Sequence, residues 1–314
     1  MTLEELKSTY YCGQMSKNEY IDEMHKLHAH LFEYAEFIRN TGIDKVEISD
    51  GSILMTSRGS QIKMLVDIKD RRSIPVETLN FGAYEKDELQ MILQLLREGD
   101  TVLDVGANIG WVSMNIARAV RDVKIFSFEP VPQTYSYLKK HIRMNEMTNI
   151  EAINYGLSDT DTEITFFYYP GVTGNSSMKN LSGSENVEKV NVRVRKLDDV
   201  VSEKNIRVDF IKCDVEGAEL LVFKGGEETI KRDKPIVFTE MLRKWSKNFN
   251  YHPNDIIALF KAFGYKCFII DQQKLVEFEI MTDETVETNF LFLHSEKHSK
   301  EIGFHRESSA SILQ

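Results

Sequence analysis

An open, doubly wound α/β sheet with helices on both faces is the fold this sequence predicts, and three observations carry that expectation. From about residue 100 to residue 294, short apolar runs alternate with stretches of helical periodicity, the order that builds a mostly parallel sheet with covered faces. Val208 to Cys213 is continuously apolar apart from Asp209 and Lys212, as a strand buried on both sides should be. Residues 101–130, TVLDVGANIGWVSMNIARAVRDVKIFSFEP, read as strand, Gly-containing turn, helix and second strand ending in Glu129.

The elements follow from local pattern. Ser16-Lys17-Asn18-Glu19 is a capping box, and Tyr20, Met24, Leu27, Leu31, Tyr34 and Ile38 then fall on one helical face before Gly42. That stripe serves either packing on its own domain or a short coiled-coil seam between two copies. The period then drops to two: Val46 and Ile48, a turn at Asp50-Gly51, Ile53 and Met55, then Ile62, Met64 and Val66, a small ribbon with no chemistry evident in it. A helix from about Glu85 to Arg97, with Leu89, Ile92, Leu93 and Leu96 inward and Gly99 as its stop, leads into the main domain.

Strands are expected at 102–105, 124–128, 150–155, 208–213, 235–238, 265–270 and 290–293. Helices begin near Trp111, Pro132, Gly217 and Pro253, the third breaking at Gly225-Gly226. Ile164 to Tyr169 and the alternating Val190, Val192 and Val194 form an insertion whose polar loop, Gly171 to Ser177, has the character of a lid or of a solvated turn. Residues after Glu296 are polar and Ser-rich, the pattern of a frayed tail. The expected division is therefore an accessory region over 1–80, a main domain over 81–295 and a tail over 296–314.

Composition narrows the function. A formal net charge of −10 argues against a nucleic-acid partner, which needs a basic face. The three cysteines lie far apart, which suits a reducing compartment with Cys213 and Cys267 as core residues. The first residues lack a basic segment followed by an apolar run, and no apolar stretch reaches membrane-spanning length. A cytoplasmic protein without a membrane span is the expectation, with a homodimer through the N-terminal helix as one arrangement.

The strand-turn-helix-strand-acid unit holds a ribose-bearing cofactor in open α/β sheets. Nineteen positions separate Gly110 from Glu129, close to the ~20 expected for an acid on a ribose. A nicotinamide dinucleotide wants G-x-G-x-x-G, because its pyrophosphate rests on bare backbone. Here the turn is Gly106-Ala107-Asn108-Ile109-Gly110, with Asn in place of the second Gly, and no phosphate-loop Lys follows. A phosphate-free cofactor with an α-amino acid end fits better, and S-adenosylmethionine is such a molecule. Asp104 is then expected to face its ammonium side, the backbone of 106–110 to pass beneath its amino-acid portion, and Glu129, with Pro130 beside it, to take the ribose. Asp159 should meet the adenine edge, with Leu157 and Ser158 against the ring, and Asp214 should lie beside the sulfonium.

Acids thus end several strands: Asp104, Glu129, Asp159, Asp214 with Glu216, and Glu240. Methyl transfer to a hydroxyl needs alignment, exclusion of water and a proton acceptor. Asp214 and Glu216 are the leading candidates for that base, Glu240 and His252 the reserves. No metal site is expected, and His25, His28 and His30 read as solvated.

DVGANIG, FEP, GLSD, IKCDVEGAE and NFLFLH together resemble the FkbM family of class I S-adenosylmethionine-dependent methyltransferases, over roughly Tyr84 to His294. The resemblance implies a Rossmann-like sheet of seven strands with the last antiparallel. It also implies a cofactor motif at Asp104, Gly106, Asn108, Gly110 and Glu129, an acidic active-site motif at Asp214 and Glu216, and O-methylation of a hydroxyl, often on a sugar in a glycan or natural product. Two other readings stay open at this level: a binding scaffold that lost turnover, and a nicotinamide oxidoreductase.

Overall fold

Thr2 and Ser16 begin helices by the same device, each hydroxyl accepting from the backbone N–H three residues on while Glu5 or Glu19 bonds back to the cap. The computed structural model describes residues 1–169, 177–179 and 187–307, without the side chains of 306 and 307. Helices α1 (Leu3–Tyr11) and α2 (Lys17–Phe37) pack on each other, with Tyr10 stacked on Tyr20 at 4.6 Å. No residue of α2 is buried, and Leu31, Phe32, Tyr34 and Phe37 are exposed. Of the expected stripe, Tyr20 meets α1, Ile38 packs against Ile43, Met55 and Leu79, and Leu31 and Tyr34 stay exposed.

Strands β1 (Ile43–Ser49), β2 (Ser52–Ser57) and β3 (Lys63–Leu65) form the expected antiparallel ribbon, turning at Asp50-Gly51, both at positive φ. Two side chains of a later helix clamp it to the main domain. The His141 ring accepts from the Leu65 N–H at 2.9 Å and donates to the Ile109 carbonyl at 2.9 Å. Asn145 bonds both the N–H and the carbonyl of Lys63 at 2.8 Å. Burial lowers the His141 pKa to about 4, so the ring is neutral and can perform both tasks.

Helices α3 (Ile74–Phe81) and α4 (Lys86–Leu95) precede β4 (Thr101–Val105), α5 (Trp111–Ala119), β5 (Lys124–Phe128), α6 (Pro132–Met144) and β6 (Ile150–Ile153). The insertion follows as β7 (Gly156–Ser158), β8 (Thr162–Tyr168) and β9 (Glu188–Lys196), a separate sheet in the order β7-β9-β8. Then come α7 (Leu197–Lys204), β10 (Phe210–Cys213), α8 (Glu219–Lys224), α9 (Glu227–Asp233), β11 (Ile236–Glu240) and α10 (Arg243–Ser246). The remaining elements are α11 (Pro253–Ala262), β12 (Tyr265–Asp271), β13 (Lys274–Phe278), β14 (Asn289–His294) and α12 (Ser299–Glu307).

The main sheet runs β13-β12-β14-β11-β10-β4-β5-β6, with β14 antiparallel to both of its neighbours. The expected seven strands are present, and β13 adds an eighth by folding back on β12. Alternation along the strands splits the core. Leu103, Val105, Ile211, Cys213 and Phe292 face α8, α9 and α11; Val102, Phe210, Phe238 and Leu291 face α4 and α5.

Three expectations differ from the structure. The third main-sheet strand ends at Ile153, and Gly156–Ser158 pairs instead with β9. Of the face expected inward on α4, only Ile92 and Leu96 are fully buried, with Met91 and Leu95 taking the other places. Residues 299–307, expected as part of a frayed tail, form α12. Ile302 enters the core, Glu301 pairs with Arg97, and the His294 N–H donates to His298 Nδ1 at 3.0 Å. Polar composition concealed a helix held by a few specific contacts.

Phe260 is fully buried, stacked on Phe292 at 4.3 Å and edge-on to Phe223 and Tyr265. Phe260→Ala should lower the unfolding free energy by about 3–5 kcal/mol, read from the urea midpoint at unchanged slope.

Candidate functional site

Parallel register brings the strand ends to one edge: Asp104 pairs with Lys212, Lys212 with Phe238, and Val105 with Phe128. Asp104 and Lys212 point into the α4/α5 layer along with Ser127, where apolar side chains stand elsewhere on that face. Asp104 is 0% exposed. One of its oxygens accepts from Ser113 Oγ at 2.5 Å, and Lys212 Nζ stands 3.6 Å from the other. The Lys212 ammonium also donates to the Gly106 carbonyl at 2.9 Å and lies 3.4 Å from Asp214. Burial works against its charge, but Asp214 and Asp104, with Glu85 behind them, outweigh it and hold it above the usual range.

Over this lysine opens a cavity of about 700 Å³, whose lining includes Gly106, Ala107, Asn108, Glu129, Pro130, Lys212, Asp214 and Glu216. Two glycines shape the turn. Gly106 has φ +78°, and a Cβ there would stand 1.9 Å from the Asp214 carbonyl oxygen; at Gly110, φ +92°, it would stand 2.6 Å from Leu138. No side chain fits either place without displacing its neighbour. Asn108 takes the left-handed conformation too, which Asn tolerates. Glu129 closes the turn, accepting from the Asn108 N–H at 3.0 Å and the Val131 N–H at 2.9 Å. Burial raises its pKa to about 7 against those bonds.

Beyond Asp214 the chain turns back sharply. Glu219, fully buried, accepts from the N–H groups of Val215 and Gly217 and from the Tyr251 hydroxyl. Glu216 adopts φ 54°. Its carboxylate, with those of Asp214 and Glu240, offers oxygens lying within 4.8 Å of one another. Such spacing could hold a divalent cation. Burial first, and the neighbouring Asp214 next, push the carboxyls of Glu216 and Glu240 well above the usual carboxylate range.

Most of the expected site residues converge. Gly106, Ala107, Asn108, Glu129, Pro130, Asp214 and Glu216 line the cavity, and Glu240 adjoins it through the acid cluster. Gly110 caps α5 behind the lining, and Asp104 lies beneath the floor. Leu157 lines a neighbouring apolar slot of about 310 Å³ with Met178 and with Pro130, Phe166 and Val215, which also line the cavity. Ser158 and Asp159 line neither space; Ser158 is buried, and both residues back onto Gly225. His252 caps α11, its ring accepting from the Asn254 N–H at 3.2 Å. Of the expected lid, 171–176 lie outside the described residues, while Ser177 donates to the Glu216 carbonyl at 3.0 Å.

Sequence reasoning missed the roof. Ile74, Tyr84 and Glu85 line the cavity from the N-terminal side, and Trp111, Thr134 and Phe166 complete it. The Trp111 indole N–H and the Thr134 hydroxyl are buried without a hydrogen-bond partner among the described residues. No periodicity announces Tyr84-Glu85; the one available signal was an acid directly before a helix.

A strand order with β14 inserted antiparallel between β12 and β11, and a cavity over β4 and β10, define a class I methyltransferase fold. Residues 104–267 match the methyltransferase FkbM domain, and the chain belongs to that family. It is 30% identical to the methyltransferase sdnD of Sordaria araneosa over 49% of this chain and 75% of the relative. It is 30% identical to the hexuronic acid methyltransferase AglP of Haloferax volcanii over 45% and 56%, and 29% identical to the 2-O-methyltransferase NoeI of Sinorhizobium fredii over 48% and 67%. Among the described residues no helix is long and apolar enough to cross a membrane.

Burial also lifts the Glu219 pKa to about 7, against its three backbone hydrogen bonds. A carboxyl raised on folding stabilises the native state below its unfolded pKa and loses that contribution as pH rises through the folded value. Glu219→Gln should therefore be nearly neutral at pH 5 and gain on the order of 2 kcal/mol relative to the parent by pH 8. Paired denaturation curves at the two pH values measure this; a difference that stays constant would show that the carboxyl is ionised throughout.

Proposed function

We propose that the chain transfers a methyl group from S-adenosylmethionine to a hydroxyl, and that the hydroxyl belongs to a saccharide. The observation that carries the donor is the charge of the cavity. Glu85, Glu129, Asp214 and Glu216 line it, and Lys212 is its one cation among the described lining residues. That balance suits a ligand with a sulfonium and an ammonium and opposes a pyrophosphate. The relatives' names support the acceptor: one is a hexuronic acid methyltransferase, another a 2-O-methyltransferase.

When bound, S-adenosylmethionine supplies an electrophilic methyl on a positively charged sulfur. The free lone pairs of Glu129 accept from the ribose hydroxyls while its backbone bonds hold it still. The slot between Pro130 and Val215, floored by Leu157, takes the flat adenine; Asp159 has no part in that contact. Asp214, fixed by Lys212, sets negative charge beside the sulfonium and accepts the proton that the acceptor hydroxyl gives up. Glu216 and Glu240, crowded against Asp214, hydrogen-bond and orient the acceptor. Asp104 acts through Lys212 and Ser113 by locking the floor.

Calorimetric titration separates this reading from a nicotinamide enzyme: S-adenosylhomocysteine should bind and NAD should not, and the reverse result would refute it. Glu129→Ala should weaken S-adenosylhomocysteine binding by about 1.5–3 kcal/mol. With hexoses and hexuronic acids offered as acceptors and a methyl-tritiated donor, the parent should transfer label. Asp214→Asn should bind S-adenosylhomocysteine yet transfer none; equal turnover by the variant would exclude Asp214 as the base.

A further inference from the structure

We propose that Glu85, delivered by the segment ahead of α4, is the anionic anchor for the α-ammonium group of the cofactor's amino-acid end. The inference rests on the S-adenosylmethionine reading above and assigns one contact within it.

The other acids of the cavity are committed. Each oxygen of Glu129 already accepts a backbone N–H. Asp214 shares Lys212 with Asp104, which itself lies out of reach beneath the floor. Glu216 and Glu240 crowd Asp214 on the far side. Glu85 lines the same cavity, and no Lys or Arg among the described residues pairs with it within the 4.0 Å of an ion pair. Its side chain hydrogen-bonds Tyr84, and an ammonium would add the counter-charge that this neutral partner does not supply.

The backbone points the same way. Glu85 stands at the N-cap position of α4 with φ 45° and ψ 48°, and its side chain makes no capping bond. A non-glycine residue there carries strain of roughly 1–3 kcal/mol that the surroundings must hold, and the usual return, a hydrogen bond to its own helix, is not taken. The side chain is turned to the cavity instead. Helix α4 lies in the layer of α5, whose first residue, Trp111, lines the cavity with a buried and unpartnered indole N–H. A zwitterionic amino-acid group across these two helix ends would place its carboxylate by the α5 N-terminus and the indole, and its ammonium by Glu85.

Proton linkage gives a readout. In the ligand-free chain burial, then Asp214, raises the Glu85 pKa to about 7, while Lys212 and Tyr84 pull it down and Glu88 adds to the rise. Glu240, whose own pKa is raised to about 10, also faces it. An arriving ammonium favours the ionised form, so binding expels a proton and tightens as pH rises from 6 to 8. Glu129 contributes a similar slope, and the part that vanishes with Glu85 is the diagnostic one.

The test compares S-adenosylhomocysteine with 5′-methylthioadenosine, which keeps the nucleoside and sulfur but has no amino-acid group. By calorimetry on the full chain, Glu85→Gln should weaken S-adenosylhomocysteine by about tenfold or more, leave methylthioadenosine within about twofold, and flatten the pH dependence. Glu85→Gly, which suits the positive φ, should melt no lower than the parent and show the same split. Equal losses for both ligands would reduce Glu85 to a structural role, and unchanged affinities would overturn the proposal. A parent that binds neither ligand would instead remove the S-adenosylmethionine reading beneath it.

Discussion

One buried ammonium organises this molecule's working edge. Lys212 sits 5% exposed between Asp104, Asp214 and the Gly106 carbonyl, tying together the ends of two adjacent strands and the turn that follows the first. A charge so placed is tolerable only because its partners are fixed. Asp104 is held by Ser113, Asp214 by the strand it ends, and the Gly106 carbonyl by a turn too tight for any side chain. Removing one member would strand the others in a low-dielectric interior.

Around that centre the surplus of carboxylates acts as a stored field. Acids outnumber cations among the described lining residues, and burial raises the pKa of several of them. A cationic ligand would bring the counter-charge the protein lacks. Such an imbalance opposes any ligand that carries phosphate groups.

Much of this was legible because strands and turns obey short-range rules. The Gly106 to Gly110 turn, the acid closing β5 and the apolar run of β10 each declare themselves within a few residues. So did the antiparallel ribbon, through its period of two and its Asp50-Gly51 turn. What escaped depends on tertiary neighbours. Asp104 reads from its position as a ligand-facing acid, yet strand alternation turns it into the layer beside Ser113 and Lys212. Asp159 closes GLSD in sequence but, unlike Leu157 of the same segment, lines neither space and backs onto Gly225. Glu85 and Ile74 join the cavity from segments whose local pattern says only helix, and α12 forms where composition alone suggests fraying.

The clamp at His141 and Asn145 has a further consequence for how the molecule divides. The ribbon is fastened to the same α6 that starts just after Glu129, and the stretch after it roofs the cavity. Residues 43–85 therefore travel with the catalytic body, and a transplant between relatives that cut near residue 80 would tear open the roof. The natural seam lies further back, close to Asn40, where a helical hairpin with an unburied α2 could be exchanged as a portable part.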